Sequence, residues 1–265
     1  MKRSTTQPFS FVQYTDPQLG FGEYERDLRM WRVAVEMINR EPADFVLLCG
    51  DLVDNPYDPA AWQDFFSVYA ALQVPCYFVP GNHDIGWKKI DPELLRSYRE
   101  KIGDDYGVFY HKGFTFVWVN TLFWKESTIS KERQVHDAWL KEKLERAQEK
   151  GVPIIVAGHH PCFFERADEP DEYFNLPLTK RSELIELFKQ CGVQAYLSGH
   201  RHIPFAHTHQ DIQFVSAPST AHNFDGSPFG FNLWSVDGQG SLFYRFVRLE
   251  KSGFLAKGKK IRRAG

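Results

Sequence analysis

Five short clusters of carboxylate, amide and imidazole side chains occur in one order along the chain, each after an apolar, strand-like run. They are Asp16-Pro17-Gln18, Gly50-Asp51-Leu52-Val53-Asp54, Gly81-Asn82-His83-Asp84, Gly158-His159-His160-Pro161 and Gly199-His200-Arg201-His202. One such cluster alone is weak evidence, because short Gly-Asp and Gly-His strings occur by chance in many proteins. Together they offer oxygen and nitrogen donors without cysteine, a set that suits divalent Mn, Fe or Zn. The ordered set therefore predicts a site for two metal ions.

A pair of divalent ions is the usual apparatus for displacement at phosphorus. The two ions carry four positive charges, of which Asp16 and Asp51 neutralise two. A hydroxide that bridges the ions would leave a net charge of about plus one, which attracts phosphate and favours the negative charge that grows in its transition state. Asp51 is the natural carboxylate bridge between the ions. The residues thus indicate a phosphoester hydrolase.

The histidines differ in what their spacing allows. His200 and His202 lie two residues apart, so an extended segment would direct both rings to one side, toward separate ions. His159 and His160 are adjacent and cannot both do so, which leaves one of them as a ligand. We interpret the remaining histidines of similar spacing or in charged segments as core or surface residues, namely His111, His136, His207 and His209.

Length and charge indicate one domain that does not bind nucleic acid. A chain of 265 residues can bury roughly 70 to 75% of the surface that its unfolded form exposes. Its net charge of -2 provides no basic field for phosphate backbones. The only cationic cluster is a tail at about 256–265, which is typical of a solvated terminus. We therefore predict a single domain over residues 1–265, and the sequence leaves its oligomeric state open.

Cysteine spacing and hydropathy predict a reduced, cytoplasmic protein that does not associate with membranes. No pair among the cysteines has CxxC spacing; they are Cys49, Cys76, Cys162 and Cys191. The polar residues 4–8 stand where an apolar signal segment would follow Lys2 and Arg3. In addition, no stretch approaches the ~20 apolar residues that span a bilayer.

Apolar patterning predicts the elements that position the clusters. Strands alternate with helices in the first third, which indicates neighbouring parallel strands. The predicted strands cover 9–15, 45–49 and 76–79, and the helices 23–39 and 59–72. Ligands of α/β sheets lie beyond the carboxyl ends of the strands, and this is where Asp16, Asp51 and Asn82 would meet.

The remaining patterns complete a two-sheet fold. They predict a hairpin over 108–120, a charged helix over 130–150 capped by Ser130, and strands over 154–157 and 195–198. The strand-rich last third, over 212–216, 231–236 and 242–249, is expected to complete a second sheet. We predict an α/β fold in which two mixed sheets face each other with helices outside. A long irregular loop over 162–177 carries several aromatic residues among acidic ones.

From Asp16 to His202, the ordered set resembles the calcineurin-like metallophosphoesterase superfamily. Its usual pattern is DxH, GDxxD or GDxxN, GNH followed by an acid, HxP and GHxH. The resemblance implies a four-layer αββα sandwich with a two-metal site. It assigns one ion to Asp16, Gln18, Asp51 and His202, and the other to Asp51, Asn82, His159 and His200. It also implies that His83 protonates or stabilises the leaving oxygen and that Asp54 orients His83.

Gln18 departs from this pattern, which usually has histidine there. Its amide oxygen is a harder and weaker donor than imidazole, so we expect this site to hold its ion less tightly and to tolerate Mn or Mg better. For the ion pair as a whole, we favour Mn or Fe. In having Asp-x-Gln, the chain resembles two subgroups of the superfamily. One comprises phosphatases of phosphoserine or phosphothreonine, and the other comprises ADP-ribose or CDP-alcohol diphosphatases. The string Thr15-Asp16-Pro17-Gln18-Leu19-Gly20 is closer to the first.

The leading hypothesis is therefore a two-metal phosphomonoesterase that acts on a phosphorylated small molecule or a phosphoprotein. The alternatives are a nucleotide phosphodiesterase or diphosphatase, and a catalytically weak scaffold of the same fold. Substrate choice would depend on loops whose placement the sequence does not fix, at Tyr57, 87–89, Trp124 and 162–177.

Overall fold

The computed structural model describes residues 7–125 and 130–249, so the basic tail lies outside the described residues. The helices are α1 (Tyr24–Ile38), α2 (Pro59–Tyr69), α3 (Asn82–Ile85), α4 (Pro92–Lys101), α5 (Leu122–Lys125), α6 (Lys131–Glu149) and α7 (Leu178–Cys191). The strands are β1 (Phe9–Tyr14), β2 (Val46–Leu48), β3 (Cys76–Phe78), β4 (Gly107–His111), β5 (Phe114–Trp118), β6 (Ile154–Ala157), β7 (Val193–Ser198), β8 (Phe205–His209), β9 (Ile212–Ser216), β10 (Gly230–Val236) and β11 (Leu242–Arg248).

The strands form two mixed sheets, in the orders β11-β10-β1-β2-β3 and β4-β5-β6-β7-β9-β8. Parallel pairing of β1, β2 and β3, and the antiparallel hairpin of β4 and β5, agree with the sequence patterns. Ser130 caps α6, as predicted, by accepting a hydrogen bond from the backbone N–H of Arg133 at 3.1 Å. The predicted α/β class with two mixed sheets is confirmed. Within the described residues, no helix has the length and apolar character that a bilayer span requires.

Alternation along the strands separates two layers of core. Phe11 of β1 packs against Phe45, which directly precedes β2, and against Phe116 of the second sheet. Their ring centroids lie 5.2 and 5.3 Å from that of Phe11. Val12 and Tyr14 point the other way and pack with residues of the helices, Tyr14 against Trp31 of α1 at 5.3 Å. Because successive strand residues face opposite sides, one strand fills both layers. This places the sheets face to face with helices outside.

The last third of the chain divides between the two sheets. The expectation that it completes the second sheet is right for β9 and wrong for β10 and β11, which extend the first sheet beyond β1. β10 pairs antiparallel with β1, and Trp234 lies opposite Phe11 with their rings stacked at 5.9 Å. Apolar alternation predicts a strand but not which sheet edge the strand will join.

Gln13 of β1 links the two sheets by hydrogen bonds and is completely buried. Its amide nitrogen donates to the carbonyls of Ser198 and Val215 in the second sheet, at 3.0 and 2.9 Å. Its amide oxygen accepts from Asn232 and Trp234 in the first sheet, at 3.2 and 3.0 Å. The side chain therefore fixes the end of β1 against the end of β7, the two strands that precede Asp-x-Gln and Gly-His-x-His.

We predict that Gln13→Leu lowers the free energy of unfolding by about 3 kcal/mol or more. The apolar side chain has a similar size but leaves the Val215 carbonyl and two buried side-chain N–H donors without their Gln13 partner, at about 1–3 kcal/mol for each group. The Ser198 carbonyl loses one bond but keeps the one from the Ala217 N–H. Urea denaturation of the metal-free protein measures the change. Gln190→Leu is the control, since Gln190 is exposed on α7 and bonds only Glu186 in the described residues. Equal unfolding midpoints for the two variants would contradict the role of Gln13.

Candidate metal centre

The predicted ligands follow strand ends through a backbone that L-residues rarely adopt. Asp16, Gln18, Asp51, His200 and His202 all have positive φ angles, at 50°, 35°, 52°, 68° and 57°. Such conformations are strained for residues other than glycine, and they cluster at functional sites. The prediction that an extended segment presents His200 and His202 is therefore wrong. The rings reach two separate groups through a left-handed turn instead.

Two groups of donor atoms form where the strand ends meet. Asp51, His159 and His200 make one group, and Asp16, Asp51 and His202 make the other, with the donor atoms of each within 4.8 Å of one another. His159 Nε2 lies 3.2 Å from Asp51 Oδ2 and 3.1 Å from His200 Nδ1. Asp51 belongs to both groups, which is the geometry that a bridging carboxylate requires.

The two amide residues complete these groups. Asn82 Oδ1 lies 3.0 Å from His159 Nε2, on the side of Asp51 and His200. Gln18 Nε2 donates to Asp54 Oδ1 at 3.3 Å, which leaves Gln18 Oε1 buried and without a hydrogen bond. The carboxylate and imidazole donors thus divide into the two groups that the resemblance implied, with Asn82 beside one of them, while coordination itself, and the place of Gln18 in it, stay predictions.

Unpaired buried atoms show that the site fits cations. Four donor atoms are buried without a hydrogen-bond partner, on Asp16 (Oδ1), Gln18 (Oε1), His200 (Nε2) and His202 (Nδ1). Buried polar atoms almost always have a partner, so four unpaired atoms on four neighbouring residues require an explanation. Metal ions held at this site would satisfy Asp16 Oδ1 and Gln18 Oε1. The histidine nitrogens that face the other donors are His200 Nδ1, 3.1 Å from His159 Nε2, and His202 Nε2, 3.5 Å from Asp16 Oδ1.

The pKa values of His200 and His159 also indicate that this site can bind cations. Burial, together with three neighbouring histidines, holds the pKa of His200 well below its ordinary value, so its ring is neutral and can offer a lone pair. Burial also disfavours the charged form of His159, but the charge of Asp51 outweighs it and raises the pKa of His159 to about 9. In the absence of metal, a proton on His159 balances Asp51. A bound divalent ion would replace that proton.

Asp84 is a supporting residue whose role the sequence did not reveal. Its buried carboxylate accepts hydrogen bonds from the backbone N–H groups of Asp51, Leu52 and Gly81, at 3.0, 2.8 and 2.8 Å. Burial and the nearby charge of Asp51 raise the pKa of Asp84. These bonds tie the loop after β2 to the loop after β3. A side chain at Gly81 would collide with the Asp51 carboxylate, which explains the glycine.

His83 and Asp54 lie beside the Asp51 carboxylate. The backbone N–H of His83 donates to Asp51 Oδ1 at 2.9 Å, and its ring Nδ1 is 3.1 Å from Asp54 Oδ1. Burial lowers the pKa of His83, but Asp51 and Asp54 outweigh burial and raise the pKa to about 9. Bound cations would counter this rise. The pair is thus positioned for proton transfer, and its catalytic role stays a prediction.

Aromatic residues around the centre were only partly foreseen. Asn82 Nδ2 donates to the Tyr173 hydroxyl at 3.4 Å, and the Tyr173 ring is 5.3 Å from the His200 ring. The sequence had marked Tyr173 as one of several aromatic residues in the loop 162–177, but not its place beside His200. Phe21 and Phe224, at 5.1 and 5.3 Å from the His202 ring, were missed because no local motif marks them.

The other histidines have structural contacts, as expected. The His160 ring lies 4.2 Å from the His200 ring, but its Nδ1 is 2.8 Å from the Thr121 hydroxyl, and only His159 of the adjacent pair joins the donors. His136 is buried in α6, and His111 contacts Asp44 at 2.7 Å. His207 and His209 lie on β8.

Sequence comparison agrees with this geometry. Residues 9–204 match the family profile described as calcineurin-like phosphoesterase. The chain belongs to the calcineurin-like phosphoesterase family. This phosphoesterase is metal-dependent, and its family uses a dinuclear centre, so the predicted family and enzyme class are confirmed.

Individual relatives of the phosphoesterase point to two kinds of substrate. Serine/threonine-protein phosphatase CPPED1 of Danio rerio is 30% identical over 267 residues, which cover 92% of this chain and 86% of the relative. A probable cyclic nucleotide phosphodiesterase of Psychrobacter sp. is 22% identical and covers 80% of this chain and 61% of the relative. The crystal structure of a dimetal phosphatase from Danio rerio shares the fold, with a TM-score of 0.66 at 15% identity over 91% of this chain and 99% of that chain.

We predict that Gln18 controls the affinity of the ion that Asp16 and His202 would hold. Gln18→Ala removes one oxygen donor and should raise the Mn concentration needed for activation by about 10- to 100-fold, a loss that is usual even for outer contacts of a metal. Gln18→His supplies an imidazole and should tighten the ion and favour Zn. Activity and bound metal are measured together in Mn and Zn titrations.

Gln210→Ala is the matched control for this prediction. Gln210 is also a glutamine with positive φ, 50°, but it is exposed in the turn between β8 and β9. Its titration curve should coincide with that of the unaltered protein. Coincident curves for the Gln18 variants as well would remove Gln18 from the ligand set.

Proposed function

We propose that this phosphoesterase hydrolyses phosphomonoesters, with phosphoserine and phosphothreonine residues of proteins as its substrate class. The proposal is carried by one observation: His83, whose ring Nδ1 is held by Asp54, bonds the Asp51 carboxylate through its backbone N–H and lines a cavity at the surface. Serine and threonine leave as poor alkoxides, which need a proton from a positioned acid. Aryl and pyrophosphate leaving groups depend on such an acid much less.

The residues divide the chemistry between them. Bound at the two donor groups, divalent ions would supply Lewis-acid stabilisation of the phosphoryl oxygens and an activated water. Asp54 holds the Nδ1 side of the His83 ring, so Nε2 is the atom that remains to give its proton to the leaving oxygen. Asp84 keeps the loops that bear Asp51 and Asn82 in register. The Tyr173 hydroxyl, which accepts from Asn82, has its own proton available for a phosphoryl oxygen.

Further properties belong to the same proposal. The name of the CPPED1 relative supports a serine/threonine phosphatase. The group with Asp16, Gln18 and Asp51 is rich in oxygen, which supports Mn or Fe as the native metals. We place the protein in the cytoplasm, and its four unpaired cysteines support a reducing compartment.

Three substrates test the proposed reaction after reconstitution with Mn: a phosphoserine peptide, p-nitrophenyl phosphate and bis-p-nitrophenyl phosphate. We expect the two monoesters to be hydrolysed with a higher kcat/KM than the diester. Preferred cleavage of the diester would overturn the proposal in favour of a phosphodiesterase, the activity in the name of the Psychrobacter relative. No turnover of any substrate by fully metallated protein would instead favour a scaffold.

A further inference from the structure

A cavity of about 1090 Å³ adjoins His83, and none of the seven predicted metal ligands lines it. Its lining includes His83 and Asp54 and comes from the loop after β2 and from the segment that leads into α4. A leaving group that takes its proton from His83 lies next to this cavity. The cavity is therefore the place for the part of the substrate that carries the leaving oxygen.

The two carboxylates that line this cavity already have hydrogen-bond partners, which leaves the lining lysines as the charged groups available to a ligand. Asp91 is engaged by the N–H groups of Glu93 and Leu94 and by the Tyr57 hydroxyl, at 2.8, 3.4 and 3.1 Å. Asp54, the other lining carboxylate, is engaged by Gln18 and His83.

Two exposed lysines stand at the same cavity. In the part of the chain that the structure describes, Lys88 has no hydrogen bond or ion pair, and the exposed Lys89 influences Asp91 only through its charge. These two ammonium groups are available to a negatively charged ligand. Apolar residues line the cavity beneath them, including Ile90, Pro92 and Leu94.

The exposure of the cavity favours a peptide over a small molecule. Sites for small ligands typically measure about 300–1,000 Å³ and enclose 70–90% of the ligand surface. The volume here is close to the top of that range, but the aromatic residues that line the cavity are open to solvent, since Tyr57 is 67% and Trp87 is 54% exposed. Such a surface suits a chain that crosses the cavity and continues beyond it.

We propose that the cavity lined by Tyr57, Trp87, Lys88 and Lys89 binds the peptide that flanks the phosphorylated residue, and that it selects acidic flanking residues with an apolar neighbour. The inference rests on the proposed phosphomonoesterase function, because the peptide is the leaving group of that reaction. Carboxylates that flank the phosphorylated residue pair with the two lysines, and the neighbouring apolar side chain packs against the apolar residues that line the cavity. Specificity then comes from residues that do not touch the phosphate.

The test compares two phosphoserine peptides that differ only in having aspartate or lysine on both sides of the phosphoserine. The variant is the double charge reversal Lys88→Glu with Lys89→Glu, and the conservative pair is Lys88→Arg with Lys89→Arg. The control reverses two exposed lysines outside the cavity, Lys150→Glu with Lys189→Glu. For each protein, kcat/KM is measured for both peptides and for p-nitrophenyl phosphate. Binding of a phosphonate analogue of the acidic peptide is measured by fluorescence anisotropy.

We expect the preference for the acidic peptide to fall by about tenfold or more in the charge reversal, because two attractive pairs become repulsive. The loss on that peptide should exceed any loss on p-nitrophenyl phosphate, affinity for the phosphonate should fall in parallel, and the arginine pair and the control should keep the preference. An unchanged preference overturns the proposal. A nucleoside diphosphate is measured in the same anisotropy experiment, and the proposal also fails if the charge reversal lowers the affinity for that ligand more than the affinity for the phosphonate peptide. If no protein hydrolyses a phosphomonoester, the proposed function fails, and the phosphonate affinities still decide whether the cavity recognises acidic peptide.

Discussion

Asp51→Asn is expected to remove both metal ions and to lower kcat/KM for p-nitrophenyl phosphate by at least about 10³-fold. Asp51 is the only residue shared by the two donor groups, so its charge serves both ions. An amide in its place offers one neutral oxygen and cannot bridge two cations. Loss of the ions removes several kcal/mol of charge stabilisation from the transition state, and each 1.4 kcal/mol corresponds to a factor of ten in rate.

The substitution is a clean test because asparagine tolerates the backbone at this position. Asp51 has φ of 52°, a left-handed conformation that asparagine adopts more readily than most residues. Its Oδ1 can still accept the hydrogen bond from the His83 N–H. The expected loss therefore reports on charge and coordination rather than on backbone strain.

Metal analysis after reconstitution with Mn decides this prediction together with the activity. The unaltered protein should approach two ions per chain, and Asp51→Asn should retain fewer than one. Asp211→Asn is the matched control, since Asp211 also has positive φ, 63°, and is exposed in the turn between β8 and β9. A fully active Asp51→Asn protein with two ions would show that Asp51 does not bridge them.

His83→Ala is expected to lower kcat by about 10²- to 10⁴-fold on an alkyl phosphate, the range that a positioned general acid contributes. The loss should be much smaller on p-nitrophenyl phosphate, because nitrophenolate leaves without protonation. His83 is outside the two donor groups, so both ions should remain bound. Asp54→Asn should show the same pattern in weaker form, since Asp54 positions the ring of His83.

Paired rate measurements on the alkyl and aryl substrates, with metal content determined on the same samples, check this role. His209→Ala serves as the control, because His209 lies on β8 and contacts Phe163 rather than the ligand group. Equal losses on the two substrates would mean that His83 positions substrate or water and does not protonate the leaving oxygen.

The donor residues of the centre could be predicted because each follows a strand, and the apolar residues of that strand make it recognisable in the sequence. Asp16, Asp51 and Asn82 come after β1, β2 and β3, whose parallel pairing brings their carboxyl ends to one edge. The glycines in the motifs have local reasons as well, such as the contact of Gly81 with Asp51. Local patterns and the rules for parallel sheets therefore gathered the donor clusters at one edge, and the family resemblance assigned the individual ligands.

Residues that act across the fold could not be predicted in this way. Phe21 and Phe224 reach His202 from loops about 200 residues apart, and no spacing along the chain reveals that they meet. Gln13 reads as an ordinary polar residue within an apolar strand, although its amide joins both sheets. The sequence also did not show which sheet edge was open for pairing, so it could not predict that β10 pairs with β1.

The sequence by itself determined the donor types, their order along the chain and the strands that present them, because ligand chemistry and strand periodicity are local properties. It also determined the family and the metal-dependent phosphoesterase class. Only the tertiary structure decided how the last third divides between the sheets and that the His200 turn is left-handed. It also formed the cavity beside His83. These features arise from contacts between distant segments, whose energies depend on packing and burial that a linear pattern does not contain.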